Sequence, residues 1–346
     1  MEVKENNNIF KRLFAMRGMG QVITVTLGLI VLSIVFGILN PIFFSSKNIG
    51  NLLRQIAPIL IIGIGQSYVL ITGNIDLSIG SVVGMSCMIS ATLMTKGINP
   101  WVAVGITLLC CLMVGIINGQ LVAKCKLPPF IATLGTMTIA RGIAQIVNNN
   151  YNTDVIGDAA KTFRNVFYYG KIIGIYNTVW IAVLLWILFN FILSKTRSGR
   201  HIYAIGSNIE ASRLSGVNIT LTTTKAYLVS SFCACIVGFI ICATSGMGTM
   251  DAGNTYEMYA VAASVIGGIS TLGGQGILLG TVIGASIWGV LQNGLQFAGA
   301  PVAIRNVVIG IIVVVSVLLD VIVRRGNRRK NQNQRVNKEK SINAKA

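Results

Sequence analysis

The sequence predicts an all-α polytopic membrane protein with about ten transmembrane helices, some of them short or broken, and with both termini in the cytoplasm. Composition is the first observation behind this fold class. Of the 346 residues, 53% are apolar and only 11% are charged, whereas soluble domains carry about 25% charged residues. The second observation is the uneven placement of basic residues between alternate loops. Together they exclude a disordered regulator and a disulfide-stapled secreted domain, and they argue against a soluble enzyme.

Ten apolar segments bounded by charged or turn residues are candidates for spanning helices, since a span needs about 20 apolar residues. They cover 20–39, 54–73, 77–95, 101–122, 129–147, 178–193, 226–245, 259–270, 277–297 and 305–323. Two of them are weak, because 129–147 contains Arg141 and 259–270 is short and ends in glycines. Either is compatible with a broken or re-entrant helix packed inside the protein, so an eight-span arrangement stays open.

The basic residues predict the orientation. With the N-terminus inside, 20 of the 28 Lys and Arg residues fall in inner segments and seven in outer ones, which is the bias of the positive-inside rule. The predicted organisation is an inner tail 1–19, a membrane domain 20–323 with an outer loop 148–177 and an inner loop 194–225, and a basic inner tail 324–346. The net charge of +18 thus reflects topology and a tail that faces anionic lipid, and no nucleic-acid partner is expected.

The inner loop has the strongest local signature in the chain. Asn208 stands at a helix-capping position, Glu210 follows in the first turn and Gly216 closes the stretch, which predicts a short amphipathic helix. A surface helix that also carries the small residues Ala211 and Ser212 suits insertion into a groove on a cytoplasmic partner. An ordinary connecting helix is an equal alternative.

Polar residues also interrupt the apolar segments. An acid such as Asp76 is costly near bilayer depth and is a functional candidate, yet it can equally cap the next helix, where the helix dipole favours negative charge. A structural role, as a helix cap or in forming the turn, is the preferred interpretation over direct contact with a substrate. Amides in apolar helices are costly to expose to lipid, so they face neighbouring helices or a water-filled path. The candidates for path or structural roles are Gln66, Asn74, Asp76, Ser78, Asn118, Gln292 and Asn293.

Close helix packing is predicted by three glycines spaced four residues apart, because small residues let helix backbones approach. They are Gly276, Gly280 and Gly284. Catalytic signatures are missing: no phosphate-binding loop occurs, and one histidine with scattered cysteines argues against a metal site. We therefore expect no enzyme activity, no metal and no cofactor bound by the chain itself.

Four stretches of the sequence resemble the permease subunits of bacterial ATP-binding-cassette importers for simple sugars, of the ribose, galactose and xylose type. They are GNIDLSIGS at 73–81, LPPFIATLGTMTIARG at 127–142, TRSGRHIYAIGSNIEASRLSGVN at 196–218 and YEMYAVAASVIGGISTLGGQGILLGTVIGA at 256–285. The resemblance covers nearly the whole chain apart from both tails, and the four stretches in this order are highly specific.

This resemblance implies a subunit that imports a simple sugar, ribose foremost, by alternating access across the bacterial cytoplasmic membrane. It implies as partners a second copy of the chain, an ATPase subunit that binds ATP, and an extracytoplasmic sugar-binding protein. It assigns the contact with the ATPase to the inner loop, where Ser212 replaces the usual second alanine. The residues expected to couple the chain to the ATPase are Arg200, Asn208, Glu210, Ala211, Ser212 and Gly216.

Two alternatives stay open beside ribose import. In the first alternative, the importer carries galactose, xylose, a signalling furanose or a nucleoside. In the second, the chain is an ion-coupled secondary transporter, which requires acids inside the membrane for proton or sodium coupling. The chain has almost none, since only Asp76 and Asp320 lie near the ends of spans.

Overall fold

The computed structural model describes residues 19–305 together with 307–308, 310–312, 314–315 and 318. Helices lie at all ten predicted positions within these residues, and the predicted tails fall outside them apart from residue 19. In chain order the α-helices are α1 Met19–Leu39, α2 Ser46–Ile71, α3 Ile79–Thr95, α4 Pro100–Ala123, α5 Pro129–Ile146, α6 Lys161–Arg164, α7 Asn177–Lys195, α8 Arg197–Ser207, α9 Ile209–Leu214, α10 Ile219–Ser245, α11 Tyr256–Ile266 and α12 Leu278–Phe297, and a last apolar helix covers described residues of Val302–Ile312.

Six of these helices, α1, α2, α4, α7, α10 and α12, are long and apolar enough to cross a bilayer. The two segments that the sequence marks as weak are both helical. The first forms α5, an uninterrupted helix of 18 residues, whereas the second forms α11, which has only 11 residues and ends at a glycine-rich loop. The chain is therefore an all-α polytopic membrane protein, as predicted.

The centre of the bundle consists of α2 and α10. With 26 residues, α2 is about 39 Å long, and every residue from Ile59 to Ile71 is buried. Small residues let its neighbours approach: Gly65 lies against the backbone of Ser230 on α10, and Gly119 of α4 lies against Thr224. In contrast, only 11% of the apolar stretch of α1 and 22% of those of α4 and α7 are buried inside the protein, as expected for helices that face lipid.

A second contact joins α2 to α11 and α12. The hydroxyl of Ser67 lies 3.1 Å from that of Ser264 and 2.9 Å from that of Thr281. On α12, a Cβ added at Gly280 or Gly284 would collide with carbonyl oxygens that belong to Gly267 and Ala263 of the α11 end. At these two glycines α12 lies in close contact with the end of α11.

The prediction is wrong for the first glycine of that series. Gly276 precedes α12, which begins at Leu278, so it lies in a loop and not on the packed helix face. Its φ of +129° is a conformation that residues with a side chain rarely adopt. The backbone at this position needs glycine because of the turn into α12.

The loops gather at two faces, which we name inner and outer after the orientation that the loop charges predict. At the inner face, the Gly274 amide donates to the Ile71 carbonyl at 2.8 Å, which joins the loop between α11 and α12 to the end of α2. At the outer face, the Thr153 amide donates to the Gly248 carbonyl at 3.0 Å. The long outer loop is folded, with short helical turns and a hairpin of β1 Lys171–Ile172 and β2 Ile175–Tyr176. Placement of the termini in the cytoplasm stays a prediction.

Candidate functional site

The predicted short helix is present at the inner face as α9. It begins where the Asn208 side-chain oxygen accepts a hydrogen bond from the Ala211 amide at 3.0 Å, a capping contact that satisfies one of the free amides of the first turn. It ends at Leu214, and two residues further on Gly216, whose φ is +80°, lets the chain reverse. Both ends of α9 are therefore set by local sequence.

The surface of α9 is almost entirely open. Glu210 pairs with Arg213 at 3.3 Å while both side chains stay more than half exposed, and Leu214 is 88% exposed. Ser212 is the exception, because it is buried and its hydroxyl donates to the Asn208 carbonyl at 2.7 Å. Arg200 is exposed on the neighbouring α8. An exposed leucine on a polar helix is the kind of side chain that a partner's groove can cover.

Helix α8 connects α9 to the core. The Tyr203 hydroxyl donates to the Gly276 carbonyl at 2.7 Å, and a Cβ added at Gly206 would collide with the Ile71 carbonyl oxygen. Burial raises the pKa of Tyr203 to about 12, so its hydroxyl keeps the proton that it donates. Helix α8 is thus in direct contact with the inner end of α2 and with the loop before α12.

A groove of about 860 Å³ lies between α9 and the other inner loops, and we call it the inner groove. Asn74, a predicted path residue, lines this groove, and its amide donates to the Thr72 hydroxyl at 2.8 Å. Lys126 and Glu210 line the same groove. A predicted path residue and a predicted coupling residue therefore both contribute to the wall of the inner groove.

Three predicted path residues form one buried hydrogen-bonded cluster. The carboxylate of Asp76 accepts from the Ser78 amide at 2.9 Å, from the Ser78 hydroxyl at 2.6 Å and from the Ser230 hydroxyl at 2.6 Å. Asn118 donates to Ser78 at 2.9 Å and accepts from Thr136 at 2.6 Å. The cluster ties the turn before α3 to α4, α5 and α10. The interpretation of Asp76 as the cap of α3 is wrong, because this helix begins after Ser78 and no side-chain bond caps its first turn. The bonds from Ser78 to Asp76 instead close the turn at 76–78.

The remaining amide candidates have three different surroundings. Asn293 exchanges hydrogen bonds with Asn48 at 2.9 and 3.2 Å, which joins the outer ends of α12 and α2. Gln66 is fully buried on α2, and neither atom of its amide has a hydrogen-bond partner among the described residues. Gln292 lines a cavity near the outer face. The seven candidates therefore do not share one site.

The outer cavity, as we call it, has a volume of about 580 Å³ and is framed by residues from six separate parts of the chain. The sequence points to Gln292 and Gln296 among them as amides in an apolar segment, whereas the fold is needed to bring the other lining residues to the same place. The rest of its wall mixes aliphatic and small residues with the amide of Gln296 and with seven aromatic or charged side chains, which are Arg54, Tyr168, Asp251, Tyr256, Tyr259, Trp288 and Arg305.

Arg141, which weakens the prediction of the fifth span, has a structural explanation. Its guanidinium donates to the carbonyls of Met250 and Ala252 at 3.0 and 2.8 Å. The charge therefore holds the loop before α11 from within the protein, where a cation at membrane depth is tolerated. No group of three His, Cys, Asp or Glu side chains among the described residues is placed to hold a metal ion.

The described residues thus form a helical membrane bundle with a groove at the inner face and a cavity at the outer face, an arrangement that suits a polytopic transport protein. The family model described as "Branched-chain amino acid transport system / permease component" matches residues 48–317, and the chain belongs to this family. Its members are permease components, so the chain is a transport component rather than an enzyme.

Individual relatives agree over most of the length. The ribose import permease of Bacillus subtilis is 36% identical over 85% of this chain and 91% of its own. The D-allose transport system permease of Escherichia coli is 33% identical over 84% of this chain and 89% of its own, and the galactose/methyl galactoside import permease of Haemophilus influenzae is 32% identical over 84% and 92%. No solved structure gives a significant match.

Proposed function

We propose that this chain is the membrane-spanning subunit of an ATP-binding-cassette importer that carries a simple sugar, ribose foremost, through the bacterial cytoplasmic membrane. The names of its relatives support a sugar: they are permeases for ribose, D-allose and galactose. Galactose, xylose, a signalling furanose and a nucleoside are the competing solutes. The partners are an ATPase subunit, an extracytoplasmic binding protein and a second copy of the chain.

The observation that carries the proposal is the exposed helix α9 and its connection to the core. A groove on the ATPase covers Leu214 and the Glu210–Arg213 pair, and the ATPase binds and hydrolyses the ATP. Motion of the ATPase then moves α8, which contacts the end of α2 and the loop before α12 through Gly206 and Tyr203. The energy source therefore lies outside this chain.

Alternating access follows from the course of α2 and α12 through the molecule. From their inner ends, these two helices run side by side to the outer face, where both line the outer cavity. A shift at the inner face therefore changes the outer cavity at the same time, which is the reciprocal opening that alternating access requires. The Asp76 cluster keeps the start of α3 fixed to α10 during this motion.

The test of the solute is competition in the complete system. Permease, ATPase and binding protein are reconstituted in proteoliposomes, and ATP-dependent uptake of radiolabelled D-ribose is measured with unlabelled D-allose, D-galactose, D-xylose or a nucleoside in 100-fold excess. We expect D-ribose to be taken up and to be displaced best by itself. Uptake of another of these solutes in preference to D-ribose would contradict the assignment to ribose.

A further inference from the structure

The outer cavity contains two arginines that lack an acidic partner. Arg54 and Arg305 both line it, and the only guanidinium–carboxylate pair within 4.0 Å among the described residues is Arg213 with Glu210 at the other face. The Nε atoms of both arginines are buried without a hydrogen-bond partner in the described part of the chain. Buried donors without acceptors are costly, so the cavity offers donors to a molecule that enters it.

Arg54 is held in one orientation by two tyrosine rings. Its guanidinium carbon lies 3.9 Å from the ring centroid of Tyr168 and 4.0 Å from that of Tyr176. The two rings pack against the guanidinium, and its N–H groups at the edge of the plane are the part that can donate to a ligand. That edge is a fixed fork of donors, and it matches two adjacent oxygen atoms of one molecule.

Another part of the cavity wall is aromatic. Trp288 is fully buried, its indole N–H has no hydrogen-bond partner among the described residues, and its ring lies 4.6 Å from that of Tyr259. Gln292 and Gln296 add amides beside these rings, and Asp251 adds one acceptor. Aromatic faces with a few placed polar groups suit a small molecule that has an apolar face and several hydroxyls.

We propose that the outer cavity is a sugar-binding site of the permease itself, in which Arg54 donates to two adjacent hydroxyl oxygens of the solute. This inference rests on the proposed function, because it takes the solute to be a sugar. It goes further in making Arg54 a specificity-determining residue, so that discrimination between solutes does not depend on the binding protein alone.

The experiment measures binding without the binding protein. The permease with its ATPase is placed in lipid nanodiscs, and equilibrium binding of radiolabelled D-ribose is compared with that of 2-deoxy-D-ribose, which lacks one of the adjacent hydroxyls. We expect the wild type to bind D-ribose saturably and at least fivefold more tightly than the deoxy sugar. Arg54→Gln is expected to weaken D-ribose binding at least tenfold and to remove this preference.

Lys171→Gln is the matched control. Lys171 also stacks on the ring of Tyr176, at 4.5 Å, but it does not line the cavity, so this variant is expected to bind as the wild type does. Arg54→Lys keeps the positive charge but lacks the forked donors of the guanidinium, so it is also expected to lose the preference for D-ribose over the deoxy sugar. This second variant keeps the test valid if Arg54→Gln folds poorly.

The proposal is overturned if the wild type shows no saturable D-ribose binding, or if the Arg54 variants keep both affinity and preference. It is also overturned if Lys171→Gln weakens binding as much as Arg54→Gln does. ATP-driven uptake of D-ribose by the complete importer in the same preparation would leave the proposed function standing in each of these cases.

Discussion

The buried carboxylate of Asp76 has no cation beside it among the described residues. Three donors from Ser78 and Ser230 take the place of a counter-ion, and hydrogen bonds to a charged group are stronger than those between neutral groups. The residue fixes the turn between α2 and α3 to α10, and the Tyr227 hydroxyl adds a bond to the Ile75 carbonyl at 3.0 Å. We therefore interpret Asp76 as a positioning residue and not as a sugar contact.

Replacing Asp76 tests this interpretation. Asp76→Ala leaves the donors of Ser78 and Ser230 buried without an acceptor, and we expect it to lower the free energy of unfolding by about 2–4 kcal/mol. Asp76→Asn keeps one acceptor oxygen and is expected to cost about half as much. Thermal unfolding in detergent measures both, with transport normalised to folded protein. An alanine variant as stable as the wild type that still fails to transport would point to a direct role in the path.

Tyr203 gives a prediction about pH. Its pKa of about 12 in the folded chain lies above the usual tyrosine value of about 10, so its contribution to stability is fully present below about pH 10 and is lost only as pH rises through 12. We expect no change in coupling from this group between pH 6 and 9. Tyr203→Phe removes the bond to Gly276 at every pH and is expected to reduce the sugar transported per ATP several-fold.

The control for this substitution is Tyr151→Phe. Tyr151 lies on the outer loop and is 73% exposed, so the loss of its hydroxyl is expected to leave coupling unchanged. Equal sugar-to-ATP ratios in the wild type and in Tyr203→Phe, measured from pH 6 to 9 in proteoliposomes, would show that α8 does not transmit motion through this bond.

At the scale of single elements, α9 is the part of the inner face that the proposal depends on most. Glu210→Arg places a second cation beside Arg213 and removes their pair, and Gly216→Trp adds a bulky side chain where φ is +80°. We expect either variant to lower ATP-dependent uptake at least tenfold while the amount of membrane-inserted protein stays the same.

Asp158→Arg provides the matching charge reversal at the outer face, where Asp158 is exposed in the first turn of a short helix. It is expected to leave uptake near the wild-type level. Co-purification of the ATPase supplies a second measurement, and it is expected to decrease for the two α9 variants alone. Wild-type uptake by Glu210→Arg and Gly216→Trp would exclude α9 as the docking element.

For the whole molecule, a natural cysteine reports the orientation. Cys125 is the one exposed cysteine of the seven, all of which lie within the described residues, and it is placed at the inner face between α4 and α5. A membrane-impermeant maleimide is expected to label it only after cells are permeabilised. Tyr151→Cys at the outer face is the positive control and is expected to react in intact cells. Labelling of Cys125 in intact cells would contradict the predicted orientation, because it would place the loop between α4 and α5 outside the cell.

The sequence predicts the helices well because each span needs its own apolar run. It also locates α9, since Asn208 and Gly216 act within a few residues of the helix that they bound. The outer cavity cannot be predicted from the sequence, because Arg54, Tyr168 and Trp288 come from distant elements and come together only in the folded chain. Gly276 is misassigned for a related reason. A spacing of four residues between glycines is the same in the sequence whether a glycine lies on a helix or in the turn before it.

The whole molecule thus combines an exposed inner helix, two central helices that reach both faces, and a cavity at the outer end. The central claim is that energy enters through α9 from a separate ATPase. The most direct measurement is solute accumulation in proteoliposomes that contain either the chain alone or the chain with its ATPase and binding protein. We predict accumulation of D-ribose only in the second case and only with ATP. Accumulation by the chain alone, driven by a proton or sodium gradient, would contradict the account.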